Sequence, residues 1–286
     1  MPVELTGLGG PVATITLDAP QRLNAFGRQD LRDLSEALDL CAGDPDAACV
    51  VLRGSGRAFC AGADLALVEE IRRAPAAERR ASLVLAPSVI LQIAQFTKPT
   101  IAAVQGAAFG GGACIALACD DVVLAQDARL GFIFTSLGLP GGDSAATWLL
   151  SRRIGTRQAW RLLSRGAIVG AQEAAAAGLA DAVVPLDRLR EEVAGRAADY
   201  SRRSATALAA TKQQLLRLEG VGSFLEPAMD RELAAMLAAF EGPDLAEGLE
   251  ASHQKREPRW PSRAIAAGPA GGTARGGTAQ SPDGPG

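Results

Sequence analysis

The stretch Lys98-Pro99-Thr100-Ile101-Ala102-Ala103-Val104-Gln105-Gly106-Ala107-Ala108-Phe109-Gly110-Gly111-Gly112 decides how the chain is read. Lys98-Pro99 ends what precedes it, because a proline pushes the residue before it out of the helical region. Thr100–Val104 is expected to be a short strand. The glycines that follow lead into residues 113–119, an apolar segment expected to be a buried helix. Such a loop has no Cβ to obstruct a ligand, and the first N–H groups of the helix beyond it lack internal partners, so a carbonyl oxygen can approach them closely.

About fifty residues upstream the same arrangement occurs. Residues 49–52 read as a short buried strand, 53–57 as a polar, glycine-bearing loop, and Phe59-Cys60-Ala61-Gly62-Ala63-Asp64-Leu65 as a second strand-to-helix turn that opens a helix over 64–73. Such amide donors suit a developing oxyanion. Each loop alone is a common turn, and the two in this order are much more specific. Further out, Val12–Leu17 alternates and is expected to pair with 3–5 across the turn from Gly7 to Pro11. Leu31, Leu34 and Leu38 give 28–40 a helical period, stopped by Gly43-Asp44-Pro45. A helix is expected over 76–96 despite Pro87, a strand over 121–125, and a helix over 144–154 after the glycine turn 138–142. Two further short β/α units reach Pro185. Beyond Leu186 only helices are expected, to about Gln254, with Phe224, Met229, Met236 and Phe240 at helical spacing as core or interface positions. Residues 264–286 are rich in Gly, Pro, Ala, Thr and Ser without periodicity, and are expected to form a disordered tail. The chain is therefore an α/β body with an α-helical C-terminal region.

Composition narrows the function. The 286 residues are 48% hydrophobic and 21% charged, enough for a sizeable core. With 29 basic against 32 acidic side chains, and lysine only at 98, 212 and 255, there is no basic excess for nucleic acid or an anionic membrane. The single histidine, His253, excludes a multi-histidine metal site, and no GxSxG elbow accompanies it. Five cysteines without a CxxC pair argue against zinc and against a disulfide framework. No basic segment precedes an apolar run at the N-terminus, and no apolar stretch reaches spanning length, so a cytoplasmic location is expected.

The two loops, with Pro20-Gln21-Arg22-Leu23-Asn24-Ala25, Gly56-Arg57-Ala58-Phe59-Cys60-Ala61-Gly62-Ala63-Asp64-Leu65, Ala118-Cys119-Asp120-Asp121, Ala176-Ala177-Gly178-Leu179-Ala180-Asp181 and Lys255-Arg256-Glu257-Pro258, resemble the crotonase, or enoyl-CoA hydratase/isomerase, superfamily. The likeness covers nearly everything except the tail. It implies a spiral of ββα units over 1–195, a helical trimerisation region over 196–263, and assembly as a homotrimer or hexamer. It implies acyl-CoA or acyl-carrier-protein thioesters as substrates, with no cofactor beyond the substrate's coenzyme A. It places the two enolate-holding N–H groups at Ala63 and Gly111, and substrate or CoA contacts at Arg22, Ala61, Asp64, Leu65, Gly110 and Phe134. Arg22 reads equally as a solvated loop arginine, and Asp64 equally as the cap of the helix it opens.

The family's hydratases carry two glutamates, and here the matching positions hold Cys114 and Phe134. A thiol inside an apolar helix is expected to be core. Asp143, in Gly138-Leu139-Pro140-Gly141-Gly142-Asp143-Ser144-Ala145-Ala146-Thr147-Trp148, resembles the catalytic aspartate of the family's isomerases. It could move a proton between carbons of an enolate, or cap the helix that follows. Double-bond isomerisation is the favoured reaction on these grounds. Hydration or dehydration stands second, and a catalytically silent acyl-CoA binder is the alternative of another class. Phe109, Phe132, Phe134 and Trp148 flank the site as pocket lining or core, and His253 reads as a solvated or interface residue.

Overall fold

The computed structural model describes residues 3–218 and 225–262, with the main chain alone at Asp143 and 225–228; Phe224 and the tail expected over 264–286 lie outside the described residues. β1 (Val3–Thr6) and β2 (Val12–Leu17) form the antiparallel pair expected, with Val3 opposite Leu17. α1 (Arg28–Gly43) returns the chain, so that β3 (Cys49–Gly54) runs parallel to β2. The next strand, β4 (Ala58–Cys60), turns away into a second sheet and is followed by α2 (Leu65–Arg73), α3 (Ala76–Leu83) and α4 (Leu85–Ala94). The same step recurs with β5 (Thr100–Val104), β6 (Ala107–Phe109) and α5 (Gly111–Ala118), then with β7 (Asp121–Ala125), β8 (Arg129–Gly131) and α6 (Ala146–Ser164). β9 (Ile168–Gly170), α7 (Ala171–Ala177) and β10 (Ala182–Val184) complete the body. α8 (Leu189–Ser201), α9 (Ala205–Leu218), α10 (Leu225–Glu241) and α11 (Asp244–Gln254) follow.

Each ββα step gives one strand to each sheet. The first sheet has the order β1-β2-β3-β5-β7-β10, parallel from β2 onward, and the second the order β4-β6-β8-β9. The continuous apolar runs of the first sheet sort by alternation. Val50, Leu52, Ala102, Val104, Val122 and Leu124 face the larger core under α1, α4 and α5, while Cys49, Val51, Ile101, Ala103, Val123 and Ala125 face a smaller core closed by α8. Leu189, Val193 and Ala197 of α8 recur every four residues to make that cover, so the boundary expected between 195 and 196 falls inside a helix packed on the sheet.

Two expected helices are corrected. The segment 76–96 breaks at Val84, and α4 begins at Leu85, so that Pro87 falls in its first turn, where a missing N–H costs little. The helix expected from 144 starts at Ala146, because Ser144 and Ala145 both have left-handed backbones (φ 59°); it then runs on to Ser164 across a non-helical Gly155. Among the described residues no helix is long and apolar enough to cross a membrane, and no cluster of potential metal ligands occurs.

Candidate active site

Both glycine loops open onto one cavity of about 460 Å³. The first is held by the segment that follows β2. Asn24, fully buried, donates through Nδ2 to the carbonyls of Ser55 (2.9 Å), Ala58 (2.9 Å) and Phe59 (3.1 Å), and accepts from the Ala19 N–H at 2.8 Å. Pinned in this way, residues 23–26 lie along the loop after β4 and take two of its donors. The Ala61 N–H goes to the Leu23 carbonyl and that of Asp64 to the Phe26 carbonyl, each at 2.9 Å, while the Gly62 N–H points to the Cys60 sulfur at 3.4 Å. The Ala63 N–H has no partner among the described residues. Cys60 in turn donates to the Asn24 carbonyl, and burial pushes its thiol up to about 12, so it stays a neutral donor.

The second loop is held by Gln105, whose Nε2 donates to the carbonyls of Gly54 and Gly56, and by the Gly110 N–H, which reaches the Gly131 carbonyl at 2.8 Å. Gly111 is the first residue of α5, so no helical carbonyl lies behind its N–H, and none of the described residues takes it. The loops are pressed together where only glycine fits. A Cβ on Gly62, whose φ is +91°, would lie 2.5 Å from the Phe109 carbonyl oxygen and 3.5 Å from the Gly111 nitrogen. Two unpartnered donors from separate loops thus stand on one cavity wall, an arrangement suited to an oxygen that gains negative charge.

The family model described as Enoyl-CoA hydratase/isomerase matches residues 8–263 of the chain. The protein belongs to the enoyl-CoA hydratase/isomerase family. The chain is 35% identical over 253 residues to the 2,3-dehydroadipyl-CoA hydratase of Escherichia coli (strain K12), an alignment covering 88% of this chain and 96% of the relative. It is similar to the crystal structure of an enoyl-CoA hydratase from Mycobacterium avium subsp. paratuberculosis K-10, with a TM-score of 0.79, 30% identity, and coverage of 90% of this chain and 98% of the other. An enoyl-CoA hydratase/isomerase structure from Xanthobacter autotrophicus Py2 gives a TM-score of 0.80 at 30% identity, covering 93% and 96%.

In this member of the enoyl-CoA hydratase/isomerase family, Arg22, Ala61, Ala63, Asp64, Leu65, Gly110, Gly111 and Phe134 all line the cavity. Arg22 stands between two carboxylates, 2.9 Å from Asp30 and 3.6 Å from Asp64. The Asp64 Oδ1 accepts the Ala66 N–H at 2.9 Å and so caps α2. Cys114 is fully buried in α5 and does not line the cavity, whereas Phe134 forms part of the wall and touches the open side of Gly110. Phe132 and Trp148 pack in the core instead of lining the cavity. His253 is exposed on α11.

Asp143 opens a short 3-10 turn, Asp143–Ala145, and its side chain lies outside the described residues. The cap position of α6 belongs to Ala145, two residues later than the sequence suggests. Glu232 of α10 serves this helix start: its Oε2 accepts the Ala145 N–H at 3.0 Å, and its Oε1 takes the Thr147 hydroxyl. Sequence reasoning missed Glu232, Ser144 and Phe26, and read Met236 and Phe240 as core or interface. The last two do carry the cavity wall, and their helical spacing was the available signal.

Proposed function

We propose that the protein acts on acyl-CoA thioesters, with the thioester oxygen held between the N–H groups of Ala63 and Gly111 as an enolate forms. The single observation that carries this reading is the pair of unpartnered main-chain donors on one wall of a mainly apolar cavity. Removing one such donor typically costs about 10²–10³ in rate. The reaction first in line is hydration of a 2-enoyl-CoA, or its reverse, supported by the printed names of the relatives. In it a water oxygen bonds to the β-carbon, its proton goes to a base, and the α-carbon of the enolate takes a proton, so no redox partner or further cofactor is required. Isomerisation, which moves a proton from one carbon to another along the acyl chain, is the second reading. It is supported by the buried thiol and the aromatic ring at positions 114 and 134, where no carboxylate pair is present to hold a water. Asp143 is the acid/base in either case. Assembly with further copies of the chain belongs to the same reading, supported by Trp160, Leu215 and Leu218, large apolar side chains exposed on α6 and α9.

The test is product analysis of a short 2-enoyl-CoA in deuterated water. Hydration predicts rapid formation of the 3-hydroxyacyl thioester. Double-bond migration outrunning it would move isomerisation to first place, and neither product, with no thioester binding, would end both readings. Asp143→Asn should lower kcat by about 10²–10⁴, the usual worth of a general acid/base.

A further inference from the structure

We propose that Ser144 is a substrate-contacting residue at the thioester end of the cavity, and that Glu232 is the positioning residue that holds it there. The inference rests on the acyl-thioester reading of the cavity. Ser144 is 2% exposed and lines the cavity, with its Oγ 3.6 Å from the point where a Cβ on Gly111 would stand. Among the described residues its hydroxyl has no hydrogen-bond partner. Buried hydroxyls are normally satisfied, and a pocket hydroxyl left open is matched by a group from outside the chain. Its neighbour Gly111 carries one of the two open N–H groups. A serine there adds a side-chain donor beside the main-chain pair, at the end of the cavity where charge collects on the thioester oxygen.

The backbone supports the same conclusion. Ser144 (φ 59°, ψ 38°) and Ala145 (φ 59°, ψ 19°) are consecutive left-handed residues, and neither is glycine. Such a pair persists only when its surroundings impose it. The restraint comes from α10, where the Glu232 carboxylate takes both the Ala145 N–H and the Thr147 hydroxyl from a position 87 residues further along the chain. Gly142 lets that side chain come close, since a Cβ there would meet the Glu232 Cγ at 3.0 Å.

The test uses the full chain and butyryl-CoA, a saturated thioester whose carbonyl stretch reports polarisation in the infrared. Wild-type protein should shift that band downward, and Ser144→Ala should return part of the shift. The same variant should lose about 10–10² in kcat with KM little changed, less than a full oxyanion-hole donor is worth. Ser144→Gly relaxes the left-handed backbone, so it should melt higher than wild type while losing the same activity; a merely structural serine would show no such opposition. Glu232→Gln cannot accept both bonds and should also lower kcat, with the double variant Glu232→Gln/Ser144→Ala no worse than Ser144→Ala, because the glutamate acts through the serine. An unshifted band and wild-type kcat in both serine variants would overturn the substrate contact, and additive losses in the double variant would overturn the positioning role. If wild-type protein fails to bind butyryl-CoA, the acyl-thioester reading falls and this inference falls with it. Binding and polarisation that ignore Ser144→Ala sink the inference alone.

Discussion

Gly62→Ala should separate the two amide loops. The new methyl carbon would lie 2.5 Å from the Phe109 carbonyl oxygen, and ordinary contact begins at 3.4 Å, so the loops must part by about 0.9 Å. Neither side gives way easily, because the obstacle is backbone and both loops are pinned, one by Asn24 and the other by Gln105. A left-handed alanine costs about 1–2 kcal/mol and an overpacked methyl about 1–3 kcal/mol, which together predict a loss of about 2–5 kcal/mol. At about 2–4 °C per kcal/mol for a chain of this size, Tm should fall by roughly 4–20 °C. A displacement near 1 Å between the Ala63 and Gly111 donors should cost about 10² in kcat. The assay pairs thermal unfolding with initial rates on a short enoyl-CoA, alongside Gly195→Ala as control. Gly195 is exposed inside α8 with open space at its Cβ, so alanine there should gain about 0.5–1 kcal/mol and leave the rate unchanged. A Gly62→Ala chain that melts low but turns over normally would refute the claim that donor spacing carries the catalysis. Unchanged melting would refute the close approach itself.

Asn24→Ala removes the acceptor of the Ala19 N–H and a donor to the carbonyls of Ser55, Ala58 and Phe59, so a loss of about 2 kcal/mol or more is expected by denaturant titration, and a loss under about 1 kcal/mol would contradict the pinning role. All five cysteines are buried, so a thiol-specific disulfide reagent at pH 8 should label none of them until the chain unfolds. Burial raises Cys41 to about 11 and Cys49, Cys60 and Cys119 to about 12 from an ordinary value of 9.0. Above pH 9 the unfolded chain therefore sheds protons that the folded chain keeps. Stability should be intact below pH 9 and fall as pH rises above it; urea midpoints that stay flat from pH 8 to 10.5 would contradict this.

What could be read from the residues was local. Ile101–Val104 and Val122–Ala125 are apolar at every position because both of their faces are buried, so a short run sufficed to identify them. The strands of the second sheet are three residues long, and a period of two has no room to show itself in Ala58–Cys60 or Arg129–Gly131. The loops at Gly62 and Gly110 were legible from their glycines, yet which N–H stays open is settled by the Cys60 sulfur and the Phe26 carbonyl, which take the donors on either side of Ala63. Nothing local marks Ser144 and Ala145 as left-handed. The turn is held by groups far along the chain, among them a carboxylate 87 positions from Ala145, and the helix starts two residues later than the sequence suggests. The breaks at Val84 and Gly155 have a nearer origin, in one proline and one glycine whose preferences were visible but whose position relative to the helix ends was not.

Glu232, Met236 and Phe240 share one helix, and a ribosome makes that helix only after every strand of both sheets. A nascent chain released through α8 already carries both sheets and both amide loops, but its cavity lacks the Met236 and Phe240 wall and the turn over 143–147 lacks the Glu232 carboxylate. The cavity is therefore completed only after the body has had time to fold around its own core. The same order runs backwards under proteolysis. A cut between α9 and α10 would spare the sheets and still remove the Glu232 bonds to that turn, so loss of activity should precede loss of structure.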